Sequence, residues 1–339
     1  MNRKKIEALG FAEHPDRVWW AYGDEEFSLR RDPSQVYLER PAYGCRGAIG
    51  TLREESFRAA RMISERHGKP ILLYSGGIDS EAILLSFHLQ KLPYEVVIFD
   101  FGGINREDAD KAMAFCGKLG AKARFLTLDI RRFWENDLES VAKSIHCTSP
   151  QIAALCWGIS KLDEYVVVGD GDSSLIRAGQ YFFEMKSERW ALARWMMSQG
   201  KSGCPRFYQY TAELEASIYF DPLVEQFVQE EMSHFLGFRK IRYLKPFVFH
   251  RHFDCRLREK RTGFESVEED ETYRNYRRAL IAMLGLPHEI SWTYDHARNW
   301  ATASQAPRAW VPLEASPYPE RDKESLSQIG SGVHSQWVE

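Results

Sequence analysis

The sequence has no apolar run long enough to cross a membrane and no closely spaced pair of cysteines. Without a CxxC pair, a zinc ribbon and a thioredoxin-like dithiol are both disfavoured. Nothing indicates a disulfide framework, and the basic N-terminus leads into charged sequence where a targeting signal would have an apolar segment. We therefore expect a cytoplasmic protein that does not bind a membrane. The six cysteines lie far apart, at Cys45, Cys116, Cys147, Cys156, Cys204 and Cys255.

The sequence also has no large excess of charge of either sign. The formal net charge is −3, which argues neither for nor against a nucleic-acid partner. Hydrophobic residues make up 44% and charged residues 27%, a composition typical of globular proteins. The length of 339 residues is sufficient for one large domain or two smaller ones.

Short apolar segments alternate with segments of helical periodicity between residues 51 and 180. Thr51 and Glu54 have the spacing of a capping box, and Gly68 is placed to end the first helix. The alternation predicts an α/β core with a doubly wound, mainly parallel sheet. The expected strands are 71–74, 95–101, 124–128 and 165–168, and the expected helices are 52–67, 81–90, 107–119 and 151–162.

The segments on either side of this core, 51–180, have a different character. Residues 1–50 are expected to form a small β-rich cover, since 17–40 alternates apolar and polar side chains. Residues 181–302 are expected to be mainly helical, and residues 303–339, rich in Ser, Pro, Gly and charge, to be a flexible tail. The helices expected in the third part are 184–199, 222–236 and 269–284.

The most informative motif is SGGIDS, which follows the first expected core strand and precedes a helix. Gly76 and Gly77 allow a tight turn whose N–H groups can approach an anion, and the helix N-terminus adds the positive end of its dipole. Ser75 and Ser80 can donate hydroxyls to phosphate oxygens. Asp79 would repel a phosphate, so it predicts a cation between the two. A Walker loop is excluded because no Gly-Lys-Ser/Thr follows; a Gly-rich turn without a ligand is the alternative.

This motif resembles the pyrophosphate loop of the N-type ATP pyrophosphatases, the PP-loop superfamily, and it matches their SGGxDS signature at every fixed position. The resemblance implies an adenine-nucleotide-hydrolase-like fold with a helical C-terminal region. It also implies that the loop binds ATP and Mg²⁺, with Asp79 as a metal ligand, and that ATP is split into AMP and pyrophosphate.

Four further segments narrow the resemblance to the synthetase domain of asparagine synthetases and β-lactam synthetases. In chain order they are IFDFGG, VVVGDGD, LEASIYFDPLVE and REKRTGF, and with the loop they cover about residues 55–265. The site residues that the resemblance implies are Phe99 on the adenine-contacting strand, Gly169 and Gly171 in a second phosphate loop, Asp172 as the second metal ligand, and Lys260 or Arg261 as the catalytic cation.

The resemblance implies an ATP-dependent carboxylate–amine ligase, in which a small-molecule carboxylate is adenylated and then attacked by ammonia or an amine. The family's glutamine-hydrolysing enzymes carry a cysteine as residue 2 of a glutaminase domain. Here residue 2 is Asn2, and about 70 residues precede the loop, too few for that domain. We therefore expect ammonia or an amine, and not glutamine alone, as the donor, with a separate amidotransferase as a candidate partner.

Two other functions are compatible with the sequence. One is an RNA- or base-modifying PP-loop enzyme, and the other is an inactive nucleotide-binding protein, because Ser174 stands where the family has an acid.

The stretch 239–261 holds nine Lys/Arg and two acids, which fits a solvated face, a lining for the ATP phosphates or an RNA contact. His250 and His252 are expected on a strand, where a surface pair is the favoured interpretation and a metal site is the alternative.

Overall fold

A computed structural model describes residues 48–138, 140–141, 151–169, 199–211, 213–218, 220–224 and 245–255 in full, with single residues between 192 and 274 and the backbone of further short elements. Its elements, in chain order, are β1 (Arg17–Trp20), β2 (Phe27–Ser28), β3 (Tyr37–Glu39), α1 (Leu52–His67), β4 (Ile71–Leu73), α2 (Ile78–His88), β5 (Glu95–Asp100), α3 (Arg106–Leu119), β6 (Ala123–Thr127), α4 (Ile130–Asn136), α5 (Pro150–Ile159), β7 (Val166–Val168), β8 (Leu175–Ala178), β9 (Tyr181–Glu184), β10 (Gly203–Cys204), a 3₁₀ turn (Phe207–Gln209), α6 (Ala212–Tyr219), α7 (Phe238–Phe253) and β11 (Val311–Pro312).

The central sheet has five parallel strands in the order β10-β7-β4-β5-β6. In register, Leu72 of β4 lies between Val96 of β5 and Val167 of β7. The chain runs outward from β4 through β5 to β6 and then returns to the other side of β4 with β7. The strand order therefore reverses between β4 and β7, and such a switch point opens a crevice at the carboxyl ends of the strands.

Helices cover both faces of this sheet, because successive strand side chains point to opposite sides. On one face Leu72, Val96 and Val167 pack with apolar residues of α1, α2 and α3. On the other, Leu73, Val97 and Val168 pack with apolar residues of α4 and α5. The α/β class and the doubly wound parallel sheet expected from the sequence are confirmed.

Helix α1 begins and ends at the residues that the sequence predicts. Thr51 accepts a hydrogen bond from the Glu54 N–H at 3.3 Å, and the Glu54 carboxylate accepts one from the Thr51 N–H at 2.8 Å. These hydrogen bonds lower the pKa of Glu54. Gly68 ends the helix with φ +71°, a conformation that favours glycine.

Outside the core, the structure corrects one expectation and leaves others open. His250 and His252 lie on helix α7, so the strand expected there is wrong. The helical periodicity of 238–253 is hidden in the sequence by Pro246 and by basic residues that interrupt the apolar spacing. The helices expected at 184–199, 222–236 and 269–284 fall mostly outside the described residues.

Two small sheets lie outside the central one. Strands β1 and β2 pair antiparallel within the segment expected to form the β-rich cover, and β3 pairs parallel with β1. The sheet of β8, β9 and β11 was not predicted from the sequence, and its last strand lies within the segment expected to be a tail. The boundaries of the four expected parts stay predictions. Over the part of the chain described, no helix is long and apolar enough to cross a membrane.

Candidate functional site

The SGGIDS loop lies at the carboxyl end of β4, beside the switch point of the central sheet. Gly76 has φ +74°, and a Cβ at this position would lie 3.0 Å from the backbone oxygen of Asp108 in α3. Both the backbone angle and the close approach of α3 therefore require glycine. Gly77 is extended and is the N-cap of α2. The loop thus turns directly into a helix N-terminus, the arrangement that favours a bound anion.

The two serine hydroxyls of the loop have different environments. Ser80 is buried, and its Oγ donates to the Gly77 carbonyl at 3.0 Å and accepts from the Ser75 N–H at 3.3 Å. Ser75 is exposed, and its Oγ lies 3.2 Å from that of Ser80. A hydroxyl has one proton to donate. Ser80 therefore shapes the loop from within, whereas the Ser75 hydroxyl faces solvent and can turn toward a ligand.

A buried pair of side chains holds the loop from behind. Tyr74, just before the loop, donates from its hydroxyl to the Glu81 carboxylate in the first turn of α2, at 3.1 Å. Both residues are less than 4% exposed. This contact joins the end of β4 to the start of α2, so the residues on either side of the loop are held together.

Asp79 is held by residues far along the chain. Tyr208 donates from its hydroxyl to the Asp79 carbonyl at 2.7 Å, and the Lys245 Nζ lies 2.6 Å from the Asp79 Oδ1. Phe249 packs edge-on against the Tyr208 ring at 5.1 Å and lies under the Lys245 ammonium at 5.7 Å. We call Tyr208, Lys245 and Phe249 the Asp79 clamp. It fixes both the backbone and the carboxylate of the predicted metal ligand.

Burial favours the protonated form of the clamp tyrosine. Tyr208 is 2% exposed, and burial, together with the neighbouring Asp79 carboxylate, raises the pKa of its phenol well above the usual value. The phenol therefore keeps its proton and remains a hydrogen-bond donor at neutral pH. No motif marks Tyr208 or Lys245 as an individual site residue, so neither was predicted from the sequence. Only the basic stretch 239–261, considered as a lining for phosphates, pointed toward Lys245.

The second predicted phosphate loop comes close to the first. A Cβ at Gly169, directly after β7, would lie 3.0 Å from Ser80 Cα and 3.1 Å from Ile83 Cδ1. The two strands on either side of the switch point thus bring their following residues together across the crevice. Gly171 and Asp172, predicted for this loop, lie outside the described residues.

Phe99 lies in the core at the end of β5. Its ring packs edge-on with Phe101 at 5.9 Å and so closely against α5 that a Cβ at Gly158 would lie 2.6 Å from it. Its carbonyl accepts a hydrogen bond from the Asn105 side chain at 2.8 Å. The ring therefore has a packing role, and the adenine contact expected of this strand end stays a prediction.

One residue of the REKRTGF segment, which contains Lys260 and Arg261, is described. Phe264 is 3% exposed, and its ring packs edge-on with that of Phe101 at 5.3 Å. This places the end of the motif beside β5, the strand next to the loop-bearing β4. Lys260 and Arg261 lie outside the described residues, so the identity of the catalytic cation stays a prediction.

The LEASIYFDPLVE segment contributes a buried carboxylate that contacts helix α7. Asp221 is fully buried, with the His252 Nε2 at 2.7 Å and an Arg251 nitrogen at 3.7 Å. His252 is therefore a partner of Asp221 and not part of a surface pair, whereas His250 is exposed. The contact joins this segment to α7, the helix that carries the Asp79 clamp lysine.

The residues around the loop fit a bound Mg²⁺ ion. Mg²⁺ prefers oxygen ligands, commonly one or two carboxylates completed by water and substrate phosphates. The Asp79 carboxylate, with a side chain 22% exposed, and the exposed Ser75 hydroxyl provide such oxygens at the SGGIDS loop. Over the described residues, no group of three or more His, Cys, Asp or Glu side chains could hold a metal without such additional ligands.

Comparison with known proteins gives limited information. No protein-family model matches the chain, and no curated protein matches it. Among solved structures, an NH₃-dependent NAD synthetase from Campylobacter jejuni superposes with a TM-score of 0.31 and 13% identity, covering 76% of this chain and 96% of that one. An NMN synthetase from Francisella tularensis also gives a TM-score of 0.31, with 14% identity, covering 62% of this chain and 99% of that one. At these scores the similarity carries no argument about activity.

Proposed function

We propose that this protein is an ATP-dependent carboxylate–amine ligase of the asparagine-synthetase-like type, forming AMP and pyrophosphate. One observation carries the proposal: the tight turn at Gly76 and Gly77 lies at the switch point of a doubly wound sheet, with the Asp79 carboxylate beside it. Such a crevice is the usual ligand site of this architecture. An anion-binding turn with a carboxylate at its side suits a phosphate chain that carries a divalent cation.

In the proposed reaction, a carboxylate oxygen of the substrate attacks the α-phosphorus of ATP, and pyrophosphate leaves. The nitrogen of ammonia or an amine then attacks the acyl carbon, loses a proton to solvent, and AMP leaves. Loop amides and the Ser75 hydroxyl hold the departing pyrophosphate; Asp79 and Asp172 would hold Mg²⁺, which would supply positive charge to screen the pyrophosphate. By the motif resemblance, Gly169 and Gly171 line the second loop, Phe99 lies at the adenine, and Lys260 or Arg261 stabilises the transition state.

A protein that binds ATP without turnover is the second candidate. The Lys245–Asp79 contact at 2.6 Å favours it, since an ammonium occupies one side of the predicted metal ligand.

An RNA- or base-modifying enzyme has less support. Its thiolating form needs a reactive cysteine, whereas the four cysteines that the structure describes are all buried, and burial raises the pKa of the Cys116 thiol to about 11. The separate amidotransferase and the cytoplasmic location stay predictions from sequence.

The test is product analysis with ATP labelled at the α-phosphorus, Mg²⁺ and a panel of amino acids, nucleobase carboxylates and amines. We expect AMP and pyrophosphate with at least one carboxylate–amine pair, and a loss of roughly 100-fold or more in Asp79→Asn, the scale for removing one electrostatic contact to developing charge. Asp163→Asn is the matched control, since the side chain of Asp163 is fully exposed at the amino end of β7. Formation of ADP and phosphate, or full turnover by Asp79→Asn, would contradict the proposal. ATP binding without products would favour the second candidate.

A further inference from the structure

One ion pair at the site is unusual in where its two members come from. Lys245 lies in the middle of α7, and its Nζ is 2.6 Å from the Oδ1 of Asp79 in the first turn of α2. The side chains are 9% and 22% exposed. Removing an ion pair from water costs desolvation free energy, which the attraction between the charges repays only in good geometry. If position 245 served packing alone, an apolar side chain would be sufficient there.

We infer that Lys245 is a phosphate-binding residue, whose ammonium neutralises Asp79 in the nucleotide-free protein and turns to the β- and γ-phosphates when ATP and Mg²⁺ bind. The inference deepens the proposed function and rests on its assignment of the loop to the phosphates. It adds a cation to a loop whose own motif has none, since SGGIDS lacks the lysine of a Walker loop.

The charges at the loop supply the physical reason. Asp79 and a triphosphate repel each other, so the carboxylate needs a positive partner in both states of the site. Mg²⁺ arrives with the nucleotide, and before that the partner is the Lys245 ammonium. When Mg²⁺ takes the carboxylate, the ammonium is displaced toward the nearest negative charge, which is the phosphate chain.

The surroundings of Lys245 allow this movement. A lysine carries a compact charge on a flexible four-carbon stem, so the charge can shift without movement of the backbone. The Phe249 ring lies 5.7 Å from the ammonium, one turn further along α7. Its face attracts a cation, so the ammonium can change position beside the ring at little electrostatic cost. Tyr208 packs on the same ring and holds the Asp79 carbonyl, so the loop keeps its position while the lysine moves.

This role predicts two effects of opposite sign in Lys245→Met. Affinity for ATP and for pyrophosphate should fall at least tenfold, whereas affinity for AMP, which lacks the β- and γ-phosphates, should stay within twofold. Affinity of the nucleotide-free protein for Mn²⁺, used as a spectroscopic substitute for Mg²⁺, should rise severalfold, because the competing ammonium is gone. Destabilisation alone would lower all of these affinities together.

Calorimetric titrations with ATP, pyrophosphate and AMP in Mg²⁺, and Mn²⁺ titrations followed by electron paramagnetic resonance, measure these effects. Lys201→Met is the matched control: its Nζ also contacts the protein, at 2.8 Å from the Leu162 carbonyl, but on the amino side of β7. That variant should leave all four affinities unchanged. Lys245→Arg, which keeps the charge, should retain ATP affinity within about threefold, and it carries the test if Lys245→Met does not fold.

The outcomes separate this inference from the proposed function. The inference is wrong, and the ion pair is structural, if Lys245→Met binds ATP and pyrophosphate as the wild type does. It is also wrong if Lys245→Met folds poorly and Lys245→Arg loses ATP affinity tenfold. If the affinities change as expected but no substrate pair yields AMP, the inference stands and the ligase proposal fails. A wild-type protein that binds neither ATP nor pyrophosphate overturns both.

Discussion

The SGGIDS loop and the Asp79 clamp hold the same aspartate, yet their contacts span very different lengths of chain. Within the loop, the hydrogen bond from the Ser75 N–H to Ser80 spans five residues. In the clamp, the hydrogen bond from Tyr208 to Asp79 spans 129 residues. The loop is therefore built by local sequence, and its carboxylate is positioned by tertiary contacts. Breaking each kind of contact should have a different signature.

The largest effect is expected from Gly76→Ala, which breaks the local part. Alanine at φ +74° is strained, and its Cβ would meet the Asp108 carbonyl oxygen at 3.0 Å. We expect a loss of roughly 1–3 kcal/mol in the free energy of unfolding and a fall in ATP affinity of more than about tenfold. Chemical denaturation and ATP titration measure the two quantities.

Gly117→Ala is the control for this substitution. Gly117 lies within helix α3, and a Cβ there would meet nothing within 4 Å. Alanine should therefore stabilise the protein slightly, by up to about 1 kcal/mol, and leave ATP affinity unchanged. An ATP affinity of Gly76→Ala equal to that of Gly117→Ala would show that the loop conformation does not matter for binding.

An intermediate effect is expected from Tyr208→Phe, which removes one contact of the clamp and keeps the ring. The Asp79 carbonyl loses the hydroxyl that donates to it at 2.7 Å. We expect a loss of about 1 kcal/mol in stability and roughly threefold in ATP affinity, since the loop keeps its local hydrogen bonds. Tyr94→Phe is matched, because Tyr94 contacts His88 at 2.9 Å away from the site. Equal ATP affinities in the two variants would argue against the clamp.

The smallest effect on binding is expected from Thr51→Ala, which breaks a local contact far from the loop. The capping box of α1 loses the Thr51 hydroxyl that accepts from the Glu54 N–H. Stability should fall by about 1 kcal/mol, whereas ATP affinity should not change. Thr51→Ser, which keeps the hydroxyl, should restore the stability. A change in ATP affinity without a change in stability would mean that α1 contributes to the site directly.

This contrast also explains how much the sequence alone could predict. Helix α1, the four longer core strands and the loop follow from local signals: a capping box, apolar segments and adjacent glycines. Tyr208 lies in a 3₁₀ turn with no motif, and its role arises only when that turn packs against α2. Lys245 was one of nine basic residues in its stretch, and nothing in the spacing singled it out. His252 was misplaced on a strand because helix α7 has mixed polarity and contains Pro246.

The central claim is that Asp79 is the point where the phosphate loop, its clamp and Mg²⁺ act together on ATP. The most direct measurement is an ATP titration of wild type, Asp79→Asn and Asp163→Asn, each with and without Mg²⁺. We predict saturable binding that Mg²⁺ strengthens in wild type and in Asp163→Asn, and binding that Mg²⁺ no longer strengthens in Asp79→Asn. Equal strengthening by Mg²⁺ in all three proteins would contradict the account.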